Sequence, residues 1–472
     1  MKLFQRIKTQ LELLTERDEA IVAYNKNRTS LAKGKICHAP FVSMRFSLNG
    51  NVLSCCYNRE YILGHVAQDS LHDIWFGERL KNMRKALLQH DFSKGCSTCK
   101  KEIDNRNFLN SGAINYDYLA TEPSPCYPVM LDFEADNQCN YECVMCNGEY
   151  SSTILTQREK LPIRSTPYSS AFLAQLDEFI PHIREARFVG GEPFLIEFYL
   201  TIWEKIVALN PQARISILTN GSVLNSRIKA LLQSGNFDVS FSIDSLDADN
   251  YAAIRKRGDL SKVLTHFNEI RSILVPRGKP TSINTCLMRQ NWQDIATIVR
   301  FCNSQDVSLF FHTVFYPFHT SLWNLPVAEL QTVLAKVTTE SFEPGNTTIQ
   351  QENLKRYADF VRQVEVWIKN APKIIANREA LLTKSVDDIK QEFKTTMMEH
   401  YRLNYPDLEK AGEDNLSQKL NRVYASLAPD TLKRSLIELY LLPTPLVFGE
   451  FLNLEENRLV PKVKYAFSAD GN

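Results

Sequence analysis

Cys139, Cys143 and Cys146 follow one another at a Cys-x3-Cys-x2-Cys spacing. Three thiolates so placed can ligate three irons of a cubane cluster, leaving the fourth iron open to a substrate or cofactor. A structural zinc site wants four ligands, often as two Cys-x2-Cys pairs, and is the weaker reading here. Five more cysteines, Cys37, Cys55, Cys56, Cys96 and Cys99, gather in one earlier stretch. The chain has 11 cysteines in 472 residues, an odd count in a long sequence. That count, and the clustering, argue for metal rather than a disulfide framework. Cys126, Cys286 and Cys302 stand alone and read as structural thiols.

The elements that must position these groups fall into three regions. From about residue 125 to 318, short β-rich runs (129–134, 186–189, 214–218, 238–243, 282–288 and 307–313) alternate with helical stretches (172–184, 198–209, 226–232, 260–274 and 292–302). Such alternation implies a parallel sheet with right-handed crossovers. Six units suit a partial (β/α)6 TIM-like barrel better than a full eight; a flat doubly wound sheet is the alternative. The three-cysteine loop then leaves the C-terminal end of the first strand, where barrel enzymes keep their active-site groups. The second run leads into Gly190-Gly191-Glu192-Pro193, where glycines admit close backbone approach and a carboxylate can accept from an ammonium group. Later runs end in Thr219-Asn220 and in Ser242, Asp244 and Ser245.

The earlier cysteines have their own scaffold. Val42, Met44, Phe46 and Leu48 alternate with Ser43, Arg45 and Ser47, as in a half-buried strand, and Asn49-Gly50 signals a hairpin turn. One helix follows, with Ser70 as its N-cap and Ile74, Leu80, Met83 and Leu87 facing inward. It delivers Cys96-x2-Cys99, so hairpin, helix and cysteine pair make a compact four-thiolate module. A zinc ribbon-like site is its rival. From residue 319 to 472 the pattern is mainly helical, with a loop at 343–346. Residues 1–35 read as an amphipathic helix packing on the body rather than a signal peptide.

Taken together, the cysteine loop and the Gly-Gly-Glu-Pro turn one unit later resemble the radical S-adenosylmethionine superfamily. The resemblance implies that Cys139, Cys143 and Cys146 hold a [4Fe–4S] cluster that binds S-adenosylmethionine and generates a 5′-deoxyadenosyl radical. It places Met145 against the adenine, although that position is more often aromatic. Gly190, Gly191, Glu192, Thr219, Asn220, Ser242, Asp244 and Arg255 become cofactor contacts, with Arg257 a rival for Arg255. Ser245 stands where many relatives have glycine.

Residues 36–110 resemble the twitch/SPASM auxiliary cluster domain, here placed before the barrel rather than after it. By that match Cys37, Cys55, Cys96 and Cys99 hold a second [4Fe–4S] cluster, with Cys56 as a substitute for Cys55. Having no open iron, that cluster would accept an electron from a substrate radical. The implied function is oxidative modification of a peptide or protein. A sugar-like alcohol dehydrogenase and a non-enzymatic metal-binding scaffold are the rivals. A flavodoxin- or ferredoxin-like electron donor is the implied partner. A general base is not chosen among His312, Tyr316 and Glu134.

Lys plus Arg (55) nearly balance Asp plus Glu (54), for a formal charge of +1. That balance gives no general pull toward nucleic acid, which is not an expected partner. No run approaches the roughly 18 apolar residues of a membrane span, so a cytoplasmic protein is expected.

Overall fold

The computed structural model describes residues 19–26, 28–108, 111–404, 410–442, 444–454 and 456–466. Most of the expected N-terminal helix lies outside the described residues. Within them residues 19–26 are helical, but the chain then passes into a 3-10 turn at Ala32–Gly34, so no helix runs on to residue 35. The chain packs as two compact units. Among the described residues, one is drawn from within 1–135, 166–186 and 399–410, the other from within 136–165, 187–398 and 411–472.

In the first unit, strand β1 (Ser43–Phe46) turns back through Asn49-Gly50 onto β2 (Asn51–Leu53), which pairs with β3 (Gly64–His65). Gly50 sits at φ +83°, and Ser47 N donates to Asn51 O at 3.0 Å, closing the predicted hairpin. On its other edge β1 runs parallel to β4 (Met130–Phe133), and the Phe46 and Phe133 rings stack at 4.9 Å. Contrary to the half-buried reading, β1 is covered on both faces. Arg45 is buried, yet its guanidinium meets Asp132 at 2.6 Å and Glu134 at 2.8 Å. A buried cation persists only when paired in this way.

The single helix expected after Ser70 is two. Ser70 Oγ accepts from Asp73 N at 3.0 Å and starts Leu71–Phe76; Gly77, extended at ψ 165°, ends it, and Glu78–Leu88 follows. A Cβ at Gly77 would stand 2.3 Å from the Asp73 carbonyl, so the break needs glycine. Leu71, Ile74 and Trp75 from the first helix and Leu80, Met83 and Leu87 from the second face the core.

Each of the six predicted strand runs holds a strand: β4, then β5 (Glu185–Phe188), β6 (Arg214–Thr219), β7 (Asn236–Ser242), β8 (Thr281–Leu287) and β9 (Ser308–Thr313). Helices separate them, as a partial α/β barrel requires. In the second unit β6 to β9 pair in sequence order, all parallel. Their alternate residues divide two environments. Ile215, Ile217, Phe237, Val239, Phe241, Ile283 and Leu309 are buried beneath helices, with Phe237 edge-on to Trp203 and Phe241 edge-on to Phe267. The opposite face presents Ser216, Ser240, Ser242, Asn284 and His312, none fully buried. Period-two alternation assigns the faces.

Beyond β9 the described residues are mainly helical. They include Val327–Thr338, the 35-residue Thr348–Leu382 with a Thr347/Gln350 capping box, and Glu456–Ala466. Residues 343–346 form the expected loop. Among the described residues no helix is long and apolar enough to cross a membrane.

Two cysteine-lined candidate metal centres

In the second unit the loop carrying Cys139, Cys143 and Cys146 is tied down along its length. Ser152 Oγ accepts from Cys139 N at 3.1 Å, Thr153 Oγ1 donates to Cys139 O at 2.6 Å, and Ser151 Oγ donates to Tyr141 O at 2.7 Å. Val144 N donates to Ile254 O at 2.9 Å and Glu142 N to Lys256 O at 3.1 Å. Sequence reading missed the Ser151-Ser152-Thr153 run, although three hydroxyls directly after a ligand loop were the available signal. Such side-chain bonds satisfy a backbone that wraps around a ligand instead of entering a helix or sheet.

The Gly-Gly-Glu-Pro turn lies against this loop. Gly190 and Gly191 take φ +85° and +54°, and a Cβ on Gly191 would stand 2.4 Å from Gln138 O. Glu192 N donates to that same carbonyl at 2.7 Å. The Glu192 carboxylate is fully buried and accepts from Thr219 Oγ1 at 2.6 Å, Asn220 N at 2.5 Å and Phe194 N at 3.1 Å. Burial pushes its pKa up to about 7, against these hydrogen bonds, which favour the charged form. The Asn220 amide reaches Asn140 Oδ1 at 3.1 Å and the Cys139 sulfur at 3.9 Å.

Arg255 and Asp244 are also brought here. The two side chains are buried and form an ion pair at 2.8 Å that lacks hydrogen-bond alignment. Arg255 Nη1 lies 3.9 Å from the Cys143 sulfur, and Asp244 Oδ1 accepts from Cys286 N at 2.7 Å. Arg255 thus faces the Cys143 thiol and an aspartate. Its rival Arg257 is largely exposed, at φ +72°, and pairs with Glu142 at 2.5 Å. Met145 packs with Val144 and Cys286 against Ile254, Met288 and Val314. Ser242 lies on the solvent-reachable face of β7, and Ser245 Oγ donates to Asp294 at 2.5 Å.

The three base candidates separate. His312 Nε2 meets Asn284 Oδ1 at 2.9 Å, Tyr316 donates to Glu450 at 3.1 Å, and Glu134 belongs to the Arg45 group of the first unit. Of the lone cysteines, Cys302 is buried and Cys286 half-buried, but Cys126 is exposed rather than packed.

In the first unit Cys37, Cys55, Cys96 and Cys99 line one cavity together with Asn58, Gly95, Gly112 and Ala113. Donors converge on the sulfurs. Asn58 N meets Cys55 Sγ at 3.3 Å, the Asn58 amide meets Cys96 Sγ at 3.6 Å, Ala39 N serves Cys37, and Gly112 and Ala113 N serve Cys99. Gly95, at φ +74°, leaves room for Asn58, whose Oδ1 would stand 2.2 Å from a Cβ there. Cys56 does not line this cavity; it lies near Arg45 and Asp132, which favours Cys55 as the fourth thiol.

Burial pushes every one of these thiols up, Cys55 to about 11 and Cys139 to about 12. Only a bound cation would hold several such sulfurs together as thiolates. Buried thiols gathered in two groups and met by N–H donors fit iron–sulfur clusters, whose sulfurs take hydrogen bonds of this kind. Among the described residues no three His, Cys, Asp or Glu side chains are grouped tightly enough to hold a single metal ion.

Residues 136–302 match the radical SAM superfamily, and residues 37–100 match an iron–sulfur cluster-binding domain, in the order expected. Among curated proteins, GTP 3′,8-cyclase of Listeria monocytogenes is 31% identical over 176 residues, 37% of this chain and 50% of that protein. The same enzyme of Pseudomonas fluorescens is 26% identical over 182 residues, 38% and 52% of the two chains. The chain spans about half the length of the curated relatives it matches. Among solved structures, Streptococcus suis SuiB bound to precursor peptide SuiA aligns over 57% of this chain and 52% of its own. The identity is 16% and the TM-score 0.34. The enzyme anSMEcpe with bound AdoMet aligns over 44% and 58%, at 15% identity and a TM-score of 0.33.

Proposed function

For a chain that carries a radical SAM domain with an iron–sulfur cluster-binding domain ahead of it, we propose the oxidative modification of a peptide or protein substrate. The two domains bring [4Fe–4S] clusters and S-adenosylmethionine as cofactors. When bound, these supply the electron that splits S-adenosylmethionine, the radical that removes a substrate hydrogen, and an acceptor for the electron the substrate then gives up.

The chain's own residues have defined tasks in this reading. Cys139, Cys143 and Cys146 hold the first cluster, and Glu192 holds the cofactor's ammonium group by its carboxylate. Thr219 and Asn220 keep that carboxylate oriented. Arg255 balances Cys143 and Asp244. Met145 supplies apolar contact for the adenine. Cys37, Cys55, Cys96 and Cys99 hold the auxiliary cluster and leave it no open iron.

The observation that carries the substrate class is the inner face of β6 to β9. Ser216, Ser240, Ser242, Asn284 and His312 offer neutral hydrogen-bonding groups there, and the one arginine on that face of β6 and β7, Arg214, is paired with Asp238 at 3.5 Å. Amides and hydroxyls suit such groups, whereas a triphosphate calls for arginine and lysine. The curated relatives are GTP cyclases, so GTP is the substrate to test against.

The test is anaerobic reconstitution of the full chain with iron and sulfide. About four irons per cluster, and reductant-dependent release of 5′-deoxyadenosine that Cys139→Ala abolishes, are expected. Mass spectrometry of peptides encoded beside the gene should show loss of two hydrogens or a new cross-link. Conversion of GTP instead would overturn the peptide reading.

A further inference from the structure

The helix Glu456–Ala466 sends one face onto the three-cysteine loop, more than 300 positions earlier in the chain. Arg458, Lys462 and Tyr465 recur at intervals of four and three, which places them on one side of the helix. Tyr465 Oη donates to Val144 O at 2.7 Å, inside the Cys143–Cys146 segment. Arg158 lies over the Tyr465 ring, 3.5 Å from its centroid, and donates to Cys146 O at 2.7 Å. The carbonyls of Val144 and Cys146 are therefore both met by this tyrosine–arginine stack. Two turns back, Arg458 meets Glu149 Oε1 at 3.2 Å, while Arg164 binds the other oxygen of that buried carboxylate. Between them Lys462, also buried, pairs with Glu450 and stands 5.4 Å from the Tyr316 ring centroid. The His319 ring packs edge-on to Tyr465 at 5.1 Å.

This amount of buried charge is a poor way to gain stability alone. Desolvating Arg458, Lys462 and Glu149 costs about as much as their pairing returns, and apolar residues would pack the same interface at less cost. What the arrangement gains is geometry. Carbonyls in a loop that wraps around a ligand have no ladder to enter, and their partners fix where the loop lies.

We propose that the helix Glu456–Ala466 is a clamp on the ligand loop, with Tyr465 as its positioning residue: it holds Cys143 and Cys146 in cluster-binding shape and slows escape of the iron. The inference rests on the reading of Cys139, Cys143 and Cys146 as cluster ligands. Tyr465 bonds the loop through the Val144 carbonyl and stacks with Arg158 and His319, so its action is through the loop and not on the reacting atoms.

The experiment uses the full chain in two states. In iron-free protein, a maleimide is reacted briefly and each cysteine is followed by mass spectrometry. Tyr465→Ala is expected to label Cys143 and Cys146 several-fold faster than the parent chain, while Cys37, Cys55, Cys96 and Cys99 keep their rates. Tyr465→Phe, which retains the ring stacked on Arg158 and His319 but loses the bond to Val144, is expected to fall between the two. In iron-loaded protein, a chelator should remove the Cys139-dependent EPR signal several-fold faster from Tyr465→Ala, with the other cluster signal unchanged. Parental labelling rates in both variants would overturn the clamp. Faster labelling in a chain whose parent shows no Cys139-dependent cluster would leave the clamp standing and overturn the cluster assignment instead.

Discussion

Arg255 Nη1 lies 3.9 Å from the Cys143 sulfur while Nε of the same guanidinium faces Asp244 at 2.8 Å. Burial alone would lower the arginine's pKa, but Asp244 and Cys143 raise it above its ordinary value, so the group is a permanent cation. One positive charge is thus shared between the Asp244 carboxylate and the Cys143 sulfur.

A cation beside a cluster favours its more negative, reduced state. Arg255→Gln is expected to lower the midpoint potential of the Cys139-dependent cluster by on the order of tens of millivolts, and Arg255→Lys by less. An EPR-monitored redox titration reads the shift. A parental potential in Arg255→Gln would leave the arginine only the task of balancing Asp244.

Glu192 sets a pH dependence. Its pKa is raised by burial to about 7 from 4.5, so the protonated form is favoured in the folded, ligand-free chain. The stability this lends is present below 4.5 and is lost as pH rises through about 7. Binding of an ammonium group needs the opposite form. The Kd for S-adenosylmethionine should therefore rise as pH falls below about 7, by up to about tenfold per unit. Glu192→Gln should bind more weakly and with a flat profile. Isothermal titration calorimetry at pH 6, 7 and 8 decides; a sloping profile in Glu192→Gln would assign the dependence to another group.

Cys55 and Cys56 adjoin in sequence but differ in surroundings. Cys55→Ala should cost about four irons per chain, one cubane, and Cys56→Ala none. Iron and sulfide analysis after reconstitution separates them, and equal losses would contradict the assignment of Cys55.

Gly191→Ala should strain the turn by about 1–3 kcal/mol, because a non-glycine residue there keeps φ +54° and meets Gln138 O. The expected result is a lowered thermal midpoint and reduced occupancy of the Cys139-dependent cluster alone. Unchanged values on both counts would mean that the loop retreats without cost.

The parts written locally in the sequence were readable. The six strands, the Asn49-Gly50 turn, the Ser70 cap and the pairing of a cysteine loop with a Gly-Gly-Glu-Pro turn all rest on spacing within a few residues. The parts that were not readable depend on distant partners or on a single backbone conformation. Arg45 looked like the polar side of a half-buried strand, because Asp132 lies 87 positions away. The break at Gly77 was missed inside the single expected helix, because only the backbone conformation there brings the Asp73 carbonyl to where its Cβ would be. The same distance hid Arg255's partners and those of the helix Glu456–Ala466.

The bond from Tyr465 to Val144 closes a span of 321 residues, whereas all four thiols of the first-unit cavity fall between Cys37 and Cys99. Chains are made from the N-terminus, and their domains fold as they emerge. The four thiols of the earlier cavity leave the ribosome more than 300 residues before the clamp on the second loop does. Under the proposed assignment, iron delivery acquires an order in time: the auxiliary site first, the radical-generating site once the clamp has emerged. Nascent chains stalled before Glu456 are expected to retain iron at the first four thiols and to lose it readily from the later three.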